Sequence, residues 1–97
     1  MFSRHYINNI NFQTAFLGVT GFTLEHGFTC GTEEECELKR AVIRNTDQVV
    51  ALMDSSKVGV GSTFTYAGPE DVDIVVTDGG LDRKTRKALE NAGITVL

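Results

Sequence analysis

Four short apolar runs recur along the chain, each bounded by polar or turn-forming residues. The first, Ala15-Phe16-Leu17-Gly18-Val19, is entered from residues 11–14, polar apart from Phe12, and closed by Thr20-Gly21. The second, Val49-Val50-Ala51-Leu52-Met53, follows Asp47 and stops at Asp54-Ser55-Ser56-Lys57. The third centres on Ile74-Val75-Val76 and is stopped by Asp78-Gly79-Gly80; the fourth is residues 94–97. Continuous runs of this length, rich in strand formers, predict buried strands of a parallel sheet rather than half-exposed ones, which would alternate polar and apolar positions.

Helical patterns lie between them. Gly21, Gly27 and Gly31 predict a loop that ends at Thr32-Glu33-Glu34-Glu35, where Thr32 can accept from the third helical amide and Glu35 can reach back. Three glutamates suit the positive end of a helix dipole, and Lys39, Arg40 and Arg44 lie toward its negative end. Leu38, Ala41, Val42 and Asn45 mark the expected inner stripe. A second helix should be capped by Asp82 and run to about Asn91, with Leu81, Thr85, Ala88, Leu89 and Ala92 inward and Gly93 as the stop. Residues 57–66 are rich in Gly, Ser and Thr; the pattern there supports at most a short strand at Thr63-Phe64-Thr65-Tyr66. Gly68-Pro69-Glu70-Asp71 is turn chemistry. Strands alternating with helices, without repeats or a dividing linker, predict a mainly parallel α/β sheet with flanking helices covering both faces, in a single domain over residues 1–97.

Composition narrows the function. With 97 residues, 41% hydrophobic and 23% charged, the chain can bury one core and falls outside the disordered class. Nine Lys plus Arg against 13 Asp plus Glu leave a net charge of −4, which works against DNA contact by this chain alone, since phosphate binding needs concentrated cations. The one basic patch, Arg83, Lys84, Arg86 and Lys87, opens a helix where positive charge is unfavourable, lacks interleaved aromatics and reads as a solvated face. No run approaches the roughly 18 apolar residues of a membrane span, and the start lacks a signal-peptide core, so a cytoplasmic location is expected. Cys30 and Cys36 are expected as reduced thiols; with His26 they match no closed zinc spacing, and no metal or cofactor is expected.

In an open parallel sheet, ligands bind beyond the carboxyl ends of the strands. Here those ends carry Thr20-Gly21, Asp54-Ser55-Ser56-Lys57 and Thr77-Asp78-Gly79-Gly80. Glycine permits close backbone approach, hydroxyls and carboxylates hold sugar hydroxyls, and Lys57 adds positive charge for an anion. The plainer reading is that strand ends need turn residues in any case, and that Glu35 is only a cap. Lys57 weighs against it, as the only basic residue between Arg44 and Arg83, directly beyond a buried strand. The phosphate-loop, dinucleotide-fold and serine-hydrolase glycine motifs do not occur.

Several blocks, in order, resemble the carboxyl-terminal effector domain of DeoR-type bacterial regulators of sugar metabolism: Phe16-Leu17-Gly18-Val19, Gly21-Phe22, Glu25-His26-Gly27-Phe28-Thr29, Glu34-Glu35, Lys39-Arg40-Ala41-Val42-Ile43, Asp54-Ser55-Ser56-Lys57 and Val72-Asp73-Ile74-Val75-Val76-Thr77-Asp78. The resemblance implies a fold similar to ribose 5-phosphate isomerase and the binding of a phosphorylated sugar that relieves repression. Carried over to this sequence, it makes Asp54 and Lys57 the principal effector contacts; Ser56, Thr20 and Gly21, at the strand ends, are the weaker candidates. The related isomerases use carboxylates near the positions of Thr20 and Gly21; none stands here, which implies sensing without catalysis. The alternative is a small sugar-phosphate isomerase in which Lys57 and Glu35 assist proton transfer, or a piece that binds nothing. The matched blocks belong to the second half of such a sensor, without a winged helix-turn-helix or a glycine- and threonine-rich phosphate loop. A fragment of a longer regulator, self-associating to cover uncovered apolar surface, is therefore expected.

Overall fold

The computed structural model describes residues 10–97. Residues 1–10 read in the sequence as the end of a helix preceding the matched blocks; apart from Ile10 they lie outside the described residues. Four strands, β1 (Phe12–Gly18), β4 (Thr46–Leu52), β6 (Ile74–Val76) and β7 (Thr95–Val96), form a parallel sheet in the order β1-β4-β6-β7. They correspond to the four apolar runs. β1 and β4 both begin three residues earlier than their hydrophobic cores, because backbone pairing extends through polar side chains, with Phe12 opposite Thr46.

Between β1 and β4 lies α1 (Glu33–Arg44), and between β6 and β7 lies α2 (Arg83–Asn91). Both predicted caps form: the Glu35 amide donates to Thr32 Oγ1 at 3.2 Å and the Thr85 amide to Asp82 Oδ2 at 3.0 Å. Gly93, at φ +94°, takes the left-handed position that ends α2. The inner stripe of α1 differs from expectation. Cys36 and Ile43, rather than Leu38, Val42 and Asn45, join the core, because a thiol in a helix packs as a small hydrophobe. In α2, Thr85 and Leu89 are buried, whereas Ala92 is exposed at the helix end.

The segment expected to be a loop holds two strands, β2 (Phe22–Thr23) and β3 (Gly27–Cys30). With β5 (Phe64–Ala67), the short strand anticipated in the Gly/Ser/Thr-rich segment, they make a separate antiparallel sheet ordered β2-β3-β5. Too few residues alternate in β2 for periodicity to reveal it. What holds the small sheet is packing: Phe22 and Phe28 are fully buried with ring centroids 4.7 Å apart, and Phe28 lies 6.3 Å from Tyr66. The turn at Gly68 winds into a short 3-10 helix, Pro69–Asp71.

One core cluster joins Val19, Val49, Ala51, Met53, Val75 and Ile94 of the parallel sheet to Phe22, Phe28 and Tyr66 of the small sheet, Cys36 of α1 and Leu89 of α2. The described helices and the small sheet therefore share one face of the parallel sheet. Pleating sends the alternate residues, Phe16, Val50, Leu52, Ile74 and Val76, to the opposite face, with Leu97 beside them. Phe16, Leu52, Val76 and Leu97 are exposed there. Among the described residues no helix or strand covers that face. Nor is any described helix long and apolar enough to cross a membrane.

Candidate functional site

The carboxyl ends of β1, β4 and β6 stand side by side, because ladder hydrogen bonds continue past the strands: the Val19 amide donates to the Leu52 carbonyl at 2.9 Å and the Met53 amide to the Val76 carbonyl at 2.9 Å. Beyond β4 the chain makes a 3-10 turn over Ser55–Lys57, capped by Asp54, whose Oδ1 accepts from the Ser56 amide at 2.9 Å. An Asp followed by two serines favours this turn, since a short carboxylate can satisfy the freed amide two residues on. The predicted contacts Asp54, Ser56 and Lys57 thus fall on one turn.

Thr20 and Gly21 reach the same rim from β1. The Phe22 carbonyl accepts from the Gly59 amide at 2.8 Å, and Phe22 bridges Val58, so the segments after β1 and β4 run alongside each other. Thr20 is exposed, its hydroxyl donating at 3.4 Å to the Thr29 carbonyl. Gly21 is buried, and a Cβ there would stand 2.6 Å from the Val60 carbonyl oxygen and 2.9 Å from Thr29 Oγ1. Its glycine is required by the chain's own backbone approach, which leaves no ligand-sized opening at its Cα.

Asp78, after β6, ties the rim together. One carboxylate oxygen accepts from the Ser55 amide at 3.1 Å and the other from the Gly80 amide at 2.8 Å. Hydrogen bonds from Ser55 and Gly80 hold its carboxyl below the ordinary value of 3.8, so it is a fixed anion rather than a base poised near neutrality. Asp54, Thr77 and Asp78, together with Leu52, Met53 and Val76, line an open depression of about 390 Å³. The Thr77 hydroxyl is buried there without a hydrogen-bond partner, which leaves a donor and acceptor free. Lys57 is half-buried beside this rim, and among the described residues no ion pair or hydrogen bond engages its ammonium.

Two residues at this end escaped the spacing argument. From α1, Lys39 Nζ donates to the Gly18 carbonyl at 3.1 Å, pairs with Glu35 Oε1 at 3.3 Å and lies 4.7 Å from the centroid of the Tyr66 ring. Glu35 therefore turns its carboxylate to Lys39, and the i, i+4 spacing was the available signal. Burial pushes the Tyr66 phenol up, keeping it neutral beneath that cation. The neighbouring Arg40 guanidinium donates to the Thr65 carbonyl. Cys30 and Cys36 are buried free thiols, and burial followed by the proximity of Cys36 pushes the Cys30 thiol up, away from thiolate chemistry. No group of three or more metal-ligating side chains occurs among the described residues. The basic side chains Arg83, Lys84 and Lys87 are exposed on α2, with Arg86 half-buried among them.

The fold is a parallel α/β sheet, a class in which ligands bind beyond the carboxyl ends of the strands. The sequence comparison is more specific: residues 1–79 match the model of the DeoR C terminal sensor domain, and the chain belongs to that family. Relatives include the HTH-type transcriptional regulator GlpR of Haloferax volcanii, 35% identical over 92 residues, which are 95% of this chain and 36% of the relative. The HTH-type transcriptional regulator GolR of Listeria innocua is 37% identical over 93% of the chain and 35% of its own length. The HTH-type transcriptional repressor GlcR of Bacillus subtilis is 33% identical over 94% of the chain and 35% of its own length. The chain thus spans about a third of these regulators.

Proposed function

We propose that this chain is the effector-sensing part of a transcriptional repressor of sugar metabolism and binds a phosphorylated sugar at the carboxyl rim of its parallel sheet. In this reading the Lys57 ammonium meets the anionic group, Asp54 and the Thr77 hydroxyl meet sugar hydroxyls, and Ser56 and Thr20 contribute further hydrogen bonds. Gly21 acts only through the close approach that brings the β1 and β4 rims together. The observation that carries the reading is that Asp54 and the unpartnered buried Thr77 hydroxyl line one open depression at the converging strand ends, with Lys57 on the turn that Asp54 caps. Binding without turnover fits the carboxylates at hand, since Glu35 is held by Lys39 and Asp78 by backbone amides. A basic DNA-contacting surface is not part of this role, and no cofactor is needed for it.

Calorimetric titration of the chain with pentose and hexose phosphates tests this. Binding is expected for at least one sugar phosphate, weakened at least about tenfold, or about 1.4 kcal/mol, by Lys57→Ala. Absence of heat with every sugar phosphate, equal affinity in the variant, or conversion of the sugar to an isomer would each defeat the proposal.

A further inference from the structure

We propose that Cys30 and Cys36 form a peroxide-reactive dithiol, in which hydrogen peroxide converts the two buried thiols into a disulfide joining the end of β3 to the first turn of α1. They are the only two cysteines of the chain, both are free, and at 0% and 1% exposure they lie in the same core cluster. One carbonyl, that of Thr32, accepts from the Cys30 thiol at 3.6 Å and from the Cys36 amide at 3.1 Å. The capped start of the helix thus holds Cys36 beside the Cys30 sulfur. The Cys36 thiol also adds, after burial, to the upward push on Cys30, which places the two sulfurs within interaction range.

Geometry divides the roles. The Cys36 thiol donates to the Thr65 carbonyl at 3.3 Å, and the Arg40 guanidinium, one turn further along α1, donates to the same carbonyl. That cation and the amino end of the helix stand in place to offset negative charge on the Cys36 sulfur as it attacks. Cys36 therefore takes the first step: its sulfur bonds to one peroxide oxygen, the O–O bond breaks, and the other oxygen leaves as water with the thiol proton. The product is the Cys36 sulfenic acid. Cys30, kept protonated by its surroundings, takes the second step: its sulfur attacks the Cys36 sulfur, the S–O bond breaks, and hydroxide leaves with the Cys30 proton as a second water. Both sulfurs are oxidised and the peroxide is reduced, so two thiols and one peroxide give one disulfide and two waters. Burial favours so small an oxidant over bulky disulfides. The link closes a loop over residues 31–35, which carries the Thr32 cap and Glu35, the partner of Lys39 at the Gly18 carbonyl. Oxidation thereby acts on the helix start that reaches the end of β1, and it requires no bound sugar.

Treatment of the folded 97-residue chain with hydrogen peroxide, followed by unfolding, alkylation of the remaining thiols and mass spectrometry, tests it. Loss of both alkylatable thiols is expected, with a mass lower by two hydrogens, a Cys30–Cys36 link mapped after cleavage at the intervening glutamates, and recovery of both thiols on reduction with dithiothreitol. Cys30→Ala should stop at the Cys36 sulfenic acid and be trapped by dimedone, whereas Cys36→Ala should give no adduct. If either variant fails to fold, the link in the unsubstituted chain decides. Two thiols still free after peroxide has oxidised a free-cysteine control, a disulfide found only between chains, or sulfinic acid without a link would overturn the proposal. A dimedone adduct on Cys30 in Cys36→Ala would overturn the assigned order of the two steps.

Discussion

At the scale of single residues, Asp78 is the best-defined group at the rim. Its position after an apolar strand marks it in the sequence as a turn residue, while its bonds to the amides of Ser55 and Gly80 depend on how β4 and β6 lie together. These bonds favour the carboxylate, so the folded-state pKa is lowered from 3.8. The stabilisation is complete above the unfolded value near 3.9 and is lost as pH falls through the lower folded value. Asp78→Asn should therefore flatten the fall in stability below about pH 4, as read from urea midpoints measured at several pH values. An unchanged slope would show that these bonds do not discriminate the charged form. Lys57 illustrates the opposite balance: its uniqueness in the sequence drew attention to it, but only the fold reveals that its charge is left unengaged.

At the scale of elements, α1 is specified locally and aimed globally. Thr32 and the three glutamates after it encode its start, and the hydroxyl accepts the Glu35 amide as that spacing demands. Thr32→Ala should cost about 1 kcal/mol in global stability, while Thr32→Ser should cost much less, both measurable by chemical denaturation. Equal losses would mean that the methyl group, not the cap, matters. Which side of α1 faces inward was not legible. An apolar tally favours Leu38 and Val42, but Lys39 and Arg40 can lay their stems on the core while their charged ends reach the Gly18 and Thr65 carbonyls. That frees the Cys36 side of the helix for burial.

At the scale of the whole molecule, the two sheets share one core and should unfold together. Phe28 is fully buried between Phe22 and Tyr66, in the cluster that also contains Val75 and Leu89. Phe28→Ala should cost about 3–5 kcal/mol, a large share of the roughly 5–15 kcal/mol typical of a domain. The loss should appear as one transition seen alike by far-ultraviolet circular dichroism and by tyrosine fluorescence. Two separated transitions would indicate that the antiparallel sheet melts on its own.

The four parallel strands, both helices with their caps, and the polar character of the strand ends follow from local pattern, because unbroken apolar runs and capping residues carry their meaning within a few positions. The antiparallel sheet does not, since β2 and β3 are too short for a period and are held by aromatic packing against β5, some forty residues away in the chain. Among the described residues, the helices cover one face of the strands predicted from the apolar runs, while the other face exposes Phe16, Leu52 and Val76 and buries Val50. A run of valines and leucines states that both faces are apolar, and only the placement of the helices decides which face the chain itself covers. The same limit applies to the rim. Residue type nominated Asp54 and Lys57, whereas the occupied space at Gly21, the pinned Lys39 and the unpaired hydroxyl of Thr77 arise from backbone approach between distant segments.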